Sequence, residues 1–196
     1  MKAIAIIEDE HRAITAVTEG LRHLVAEIRA GRIAPDHTLL SALFAYIERF
    51  PERLHHPKED EHLFARVLKR APQARALVEG LHAEHQEGAR LIRELERALL
   101  FFEEGWPAGA REFQDKVDAY AAFHWQHMRK EEQELLPLAE RVLGAEDWQA
   151  IDRAFAANED PIAEFEQRDY EKLFTRIANL APEPVGLGEP WRKGAR

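Results

Sequence analysis

Two stretches of this chain carry the same chemistry. His55-His56-Pro57-Lys58-Glu59 and His127-Met128-Arg129-Lys130-Glu131 both spell His-x-x-Lys-Glu, and each is followed by further acidic or amide residues and a large apolar pair. On a helix of about 3.6 residues per turn, a histidine and a glutamate four apart lie roughly 40° from each other around the axis, so both reach toward one side. An imidazole nitrogen and carboxylate oxygens on one inward face are a ligand set for iron, manganese or zinc.

The duplication is longer than the motif. Glu10-His11 precedes the first copy and Glu84-His85 the second, at nearly equal intervals, so each half reads Glu-His and then His-x-x-Lys-Glu. Two such halves can superpose about a pseudo-twofold axis. On this reading His11 and His55 hold one ion, His85 and His127 hold the other, and Glu59 and Glu131 bridge them. Bridging carboxylates offset the repulsion between two divalent ions in a low-dielectric core. The set leaves open positions on a six-coordinate ion, where a small ligand such as dioxygen can bind.

The elements that must position these residues are helices. The chain has 196 residues, 45% of them hydrophobic and 32% charged, and its glycines and prolines fall mostly at segment edges. Strand signals are almost absent. Apolar residues at helical spacing predict a first helix from Ile4 to Ile28 and a second from a cap at Asp36 to about Leu68, kinked at Pro51 and Pro57. A third runs from about Pro72 to Glu104 and a fourth from about Ala108 to Val142. Short connections between four long amphipathic helices predict an all-α, up-down-up-down four-helix bundle over residues 1–145. Two additional C-terminal helices, Glu146 to Ala157 and Pro161 to Leu180, are expected to pack across it, and the Pro/Gly-rich residues 181–196 to form an extended tail.

Composition narrows the function. The net charge is −9 and no basic stripe exists, which argues against nucleic acid. No apolar run is long enough to span a membrane and the first is too short for a signal sequence, so a cytoplasmic protein is expected. With no cysteine among the residues, disulfides, iron-sulfur ligation and thiolate zinc are excluded, and any metal is held by nitrogen and oxygen.

With these residues in hand, residues 1–145 resemble a hemerythrin-like protein of the HHE cation-binding family. The resemblance implies a non-haem di-iron centre inside the bundle, two irons bridged by an oxo or hydroxo group, and His11, His55, Glu59, His85, His127 and Glu131 as ligands. It also exposes a departure: oxygen-carrying members have a further histidine four places beyond the one matching His85, and here that place is Ala89. His82 and His124, each three residues before a ligand, are candidates for the vacancy or for orienting partners, with Glu8 at a place matching His82 in the other half. His62 and Glu134, seven residues past His55 and His127, are candidates for a polar pair that moves protons or gates access. His23, His37 and His56 read as surface or satisfied core positions, Glu61, Glu132 and Gln133 as solvated, and Phe44, Phe102, Phe113 and Trp125 as core.

A ferritin-like carboxylate site fits less well, because the Glu-x-x-His triplets at Glu8, Glu52 and Glu79 leave the fourth helix without one, and no His-Glu-x-x-His zinc motif occurs. The expected function is a binding protein that takes up dioxygen, nitric oxide or iron for sensing, scavenging or storage. An enzyme acting on peroxide or nitric oxide or repairing iron-sulfur clusters, and a helical partner-binding module with a structural metal, are the alternatives.

Overall fold

The computed structural model describes residues 1–156. These are helical apart from short connections, contain no strand, and include no helix long and apolar enough to cross a membrane. The expected helix at 161–180 and tail at 181–196 lie outside the described residues.

Helix α1 spans Lys2–Arg29 and buries Ala3, Ile7, Ile14, Val17, Leu21, Leu24 and Ile28 on one stripe, the three-and-four spacing of an amphipathic helix. It ends in a turn through Gly31, whose φ of 68° suits a residue without a Cβ. Helix α2, His37–Phe50, starts where expected: the Asp36 carboxylate accepts a hydrogen bond from the Leu39 amide at 2.9 Å, which satisfies a donor that the first turn leaves free. After the turn Pro72–Ala74, α5 spans Arg75–Gly105, and α6 spans Ala110–Lys130. Helix α6 begins two residues later than the pattern predicts because Gly109, at φ 82°, completes the preceding turn.

The prolines act on the helical ladder itself. Pro51–His55 and Glu59–Phe64 are π-helical on either side of a short α3, His56–Lys58, before α4, Ala65–Arg70. The His56 amide donates to the Pro51 carbonyl, five residues back instead of four. In the second half Glu131–Leu135 is π-helical ahead of α7, Leu136–Val142, which carries Pro137, and the Leu136 amide donates to the Glu131 carbonyl. Where the sequence predicts kinks, the chain widens its turn. Such π segments sit at functional sites often enough to direct attention to the residues between them.

Two apolar cores flank those residues. One contains Val17, Leu21 and Ile28 of α1, Leu40 and Phe44 of α2, Phe102 of α5 and Phe113 of α6. The other contains Ala3 and Ile7, Leu63 and Val67, Leu81, and Leu135. Along α1 and α5 the chain passes from the second core to the first, and along 39–70 and 110–142 it passes back. Each long segment therefore crosses one polar layer, which holds Glu10, His11, His55, Glu59, His85, His124, His127 and Glu131. A fully buried Leu, Ile or Phe contributes roughly 1.5–3 kcal/mol, so two such cores can carry a costly polar layer between them.

Helix α8, Ala145–Ala156, adds Trp148, Ile151 and Phe155 to the second core, and its Asp152 accepts from the Ala3 amide at 2.8 Å. The aromatic expectation holds for Phe44, Phe102 and Phe113, which are buried. It fails for Trp125, which is 51% exposed with the Arg129 guanidinium over its ring at 5.1 Å.

Candidate metal centre

The polar layer brings the six singled-out residues together. His11 Nε2 and His55 Nε2 face each other at 3.2 Å, although two imidazole nitrogens have little reason to approach so closely unless a proton or a cation stands between them. His11 Nε2 also lies 3.4 Å from Glu131 and 3.8 Å from Glu59, and His55 Nε2 lies 3.4 Å from Glu59. On the other side His85 Nε2 is 3.5 Å from both Glu59 and Glu131, and His127 Nε2 is 3.5 Å from Glu131. Ligands bound at about 2.1 Å and at right angles on one ion stand roughly 3 Å apart, so these separations are those of atoms arranged around cations.

The polar accounting agrees. All four carboxylate oxygens of Glu59 and Glu131, and the Nε2 atoms of His85 and His127, are buried without a hydrogen-bond partner. Buried carboxylates left without a cation cost several kcal/mol each. His11, His55, Glu59 and Glu131 form one compact donor set and His85, His127 and His56 another, each with its donor atoms within 4.8 Å of one another. The residues present fit metal held by nitrogen and oxygen.

Behind every inward Nε2 stands a carboxylate on Nδ1. His55 Nδ1 is 2.7 Å from Glu10 and His127 Nδ1 is 2.9 Å from Glu84. His11 Nδ1 is 2.9 Å from Glu132 and His85 Nδ1 is 3.0 Å from Asp60. Donation from Nδ1 to a carboxylate leaves the Nε2 lone pair free for a metal and fixes the ring. The motif lysines complete the scheme, because Lys58 reaches Glu10 at 3.0 Å and Lys130 reaches Glu84 at 2.7 Å. The pattern is duplicated throughout: the glutamate before each first histidine holds the second, and the acid after each motif glutamate holds the first histidine of the other half. Glu132, expected to be solvated, is thus a partner of His11.

Charge in the metal-free layer is balanced by protons. Burial pulls the His11 imidazole down, but Glu131, Glu132 and Glu59 outweigh it and hold it well above the ordinary histidine range. Burial likewise opposes a proton on His85, yet Asp60, Glu131 and Glu59 push it up to about 12. Burial raises both glutamates, and Glu131 raises Glu59 further, but the surrounding histidines win, so both stay below the usual carboxylate range.

The remaining candidates divide. His124 is buried in the layer. His82 is exposed on its outer side, with Asp60 at 3.0 Å, so it braces the carboxylate that holds His85 and does not point inward. Glu8 is exposed and away from the layer. His62 is partly exposed beside Glu61 at 3.8 Å and Glu134 is exposed, and no contact between His62 and Glu134 occurs among the described residues. His56 overturns its expectation as a surface or satisfied position: it is buried, and its Nδ1 has no hydrogen-bond partner, with Glu52 3.6 Å away. The widened turn before it carries both His55 and His56 inward. On the His11 side an open cleft of about 730 Å³, lined by His11, Thr15, Trp125, Met128 and Glu132, adjoins the centre.

No curated protein and no solved structure matches the chain. Residues 2–139 match the model of the hemerythrin HHE cation-binding domain, and the chain belongs to that family.

Proposed function

We propose that the chain is a non-haem dinuclear metal protein, an up-down-up-down four-helix bundle whose layer binds two iron ions and takes up a small molecule such as dioxygen or nitric oxide, or iron itself, for sensing, scavenging or storage. The observation that carries this reading is the set of unpartnered, buried oxygens of Glu59 and Glu131 between two pairs of inward imidazoles. The reversal of core order along successive segments supports the bundle topology. His11 and His55 would hold one ion, His85 and His127 the other, with both glutamates shared. When bound, the ions supply Lewis acidity, redox capacity and a position for the incoming molecule. Glu10, Glu84, Asp60 and Glu132 fix the imidazole rings, and the two apolar cores exclude bulk water from both ends.

A second reading, a di-iron enzyme acting on peroxide or nitric oxide or in iron-sulfur cluster repair, gains from the open cleft beside His11, which has room for a small substrate. Metal content with optical spectra before and after reduction tests the main reading. The iron-loaded chain is expected to hold about two irons and to show an oxo-to-iron band that changes on reduction, and a His55→Ala, His127→Ala double variant is expected to lose both. Tight retention of two ions by that variant refutes the site.

A further inference from the structure

The outer edge of the layer carries a cluster of metal donors on the side of His85 that faces away from the proposed ions. Asp60, in the π-helical segment Glu59–Phe64, stands between two imidazoles of α5. Its Oδ1 is 3.0 Å from His85 Nδ1 and its Oδ2 is 3.0 Å from His82 Nδ1. His82 and His85 are three apart on one helix and share a face, and the donor atoms of all three residues lie within 4.8 Å of one another. Two nitrogens and a carboxylate at that spacing suit a divalent transition metal such as iron, manganese or zinc, and suit calcium or magnesium poorly.

The three groups also form a graded path from water inward. The side chain of His82 is 52% exposed, that of Asp60 25% and that of His85 5%. His85 joins the cluster to the layer, because its Nδ1 faces Asp60 while its Nε2 lies 3.5 Å from both Glu59 and Glu131. The two apolar cores close the layer at both ends, so an ion must enter from the side. At the wet end of the path the Gln86 amide nitrogen is 3.1 Å from His82 Nε2. An amide presents either its NH2 group or, turned over, its oxygen. With the oxygen toward Nε2 it accepts the ring proton there, and the Nδ1 lone pair is left free beside Asp60.

The other half lacks these donors. Glu8 stands in the place of His82 and is exposed and away from the layer, and Arg12 stands in the place of Gln86. The cleft on that side is lined by Arg12 and Arg129, whose positive charges repel a cation. Arg12 also offsets part of the charge of Glu132, the acid that corresponds to Asp60. Cation entry is therefore favoured on the His85 side, and the net charge of −9 favours the arrival of cations at the protein.

We propose that His82 and Asp60, with His85 Nδ1 beside them, form an outer site that captures a divalent transition-metal ion from solution and feeds it to the layer. The inference rests on the dinuclear reading for the destination of the ion and adds the route by which it loads. Water completes the coordination at the exposed end, so the outer ion is held more weakly than the inner ones and is free to move on.

Cobalt(II), whose absorption reports nitrogen and oxygen coordination, is the probe. The metal-free, full-length chain is titrated to equilibrium and also mixed with cobalt by stopped flow, for wild type, His82→Ala, His82→Glu and, as a control at another partly exposed histidine, His62→Ala. Wild type is expected to take up two ions tightly and a third weakly. His82→Ala is expected to lose the third ion and to load the pair about tenfold or more slowly, the least that loss of even an orienting partner costs a metal site, with the final spectrum of the pair unchanged. His82→Glu replaces one metal donor with another but cannot donate a hydrogen bond to Asp60, and it is expected to restore the third ion and loading to within about threefold of wild type. A wild-type chain that takes no third ion, or His82→Ala loading at the wild-type rate, overturns the proposal. Equal slowing in His82→Ala and His82→Glu overturns it in favour of His82 as a brace on Asp60, and equal slowing in His62→Ala removes its specificity. A wild-type chain that holds only one ion, lost in His82→Ala, refutes the dinuclear reading and leaves the outer site standing.

Discussion

Loading the metal-free protein with a divalent ion is expected to release protons, because the layer already holds cations in the form of imidazolium groups. His85 is pushed up to about 12 and His11 is held well above its ordinary value of 6.5, so both are protonated at neutral pH. A metal needs the Nε2 lone pair, and each ion that enters therefore displaces about one proton, with log affinity rising by about one unit per pH unit for each ion. The sign is opposite for the empty fold. A histidine whose folded pKa lies above its unfolded value contributes stability that is complete below about pH 6.5, and for His85 that contribution is lost as the pH rises toward about 12. The metal-free chain should therefore melt at lower temperature as pH rises above neutrality, while its metal affinity increases. Calorimetric titration with zinc in buffers of different ionisation enthalpy counts the protons, and melting curves across the same pH range follow the empty fold. A Glu59→Gln variant, which removes one of the charges that hold these protons, should release fewer. Zero proton release with pH-independent affinity would refute the imidazolium balance.

Two further outcomes are expected. Glu10→Gln and Glu84→Gln each weaken the acceptor on the Nδ1 of a ligand histidine and should lower metal affinity by about 10- to 100-fold while the helical content stays intact, measured by chelator competition and circular dichroism. Because the two glutamates occupy equivalent places, similar losses are expected from both. Phe155→Ala removes a buried ring that packs in the second core beneath Lys58, and it should cost about 3–5 kcal/mol in denaturant unfolding.

The residues legible in the sequence are those that repeat with a helical interval. His55 with Glu59 and His127 with Glu131 could be placed on inward faces, and the paired Glu-His sites supplied the other two histidines. The lysines of His-x-x-Lys-Glu had no role in that reading, and geometry gives them one, as clamps on Glu10 and Glu84. Asp60 and Glu132 were hidden because an acid beside a buried glutamate looks like the start of the solvated face. Their signal was present nonetheless, since an acid follows the motif glutamate in both halves. His56 is illegible for a different reason. Adjacent residues on an α-helix lie about 100° apart, so a neighbour of an inward His55 reads as outward, and the wider π turn at Pro51–His55 cancels that rule locally.

The duplication also shows where the two halves stop being equivalent, and function should reside there. A symmetric ligand set offers an incoming molecule two equal approaches. Here Met128 and the open cleft lie on the His11 side, while His56 stacks on His85, with Glu52, His124 and Tyr120 behind it. Ala89, where oxygen carriers of the family resemblance have a histidine, is half-buried and carries no ligating atom. The neighbouring position, Gly88, leaves room for Glu52 and His124. Polar groups from α3 and α6 therefore stand on one side of the layer alone, and a substitution there should act differently from its counterpart in the other half.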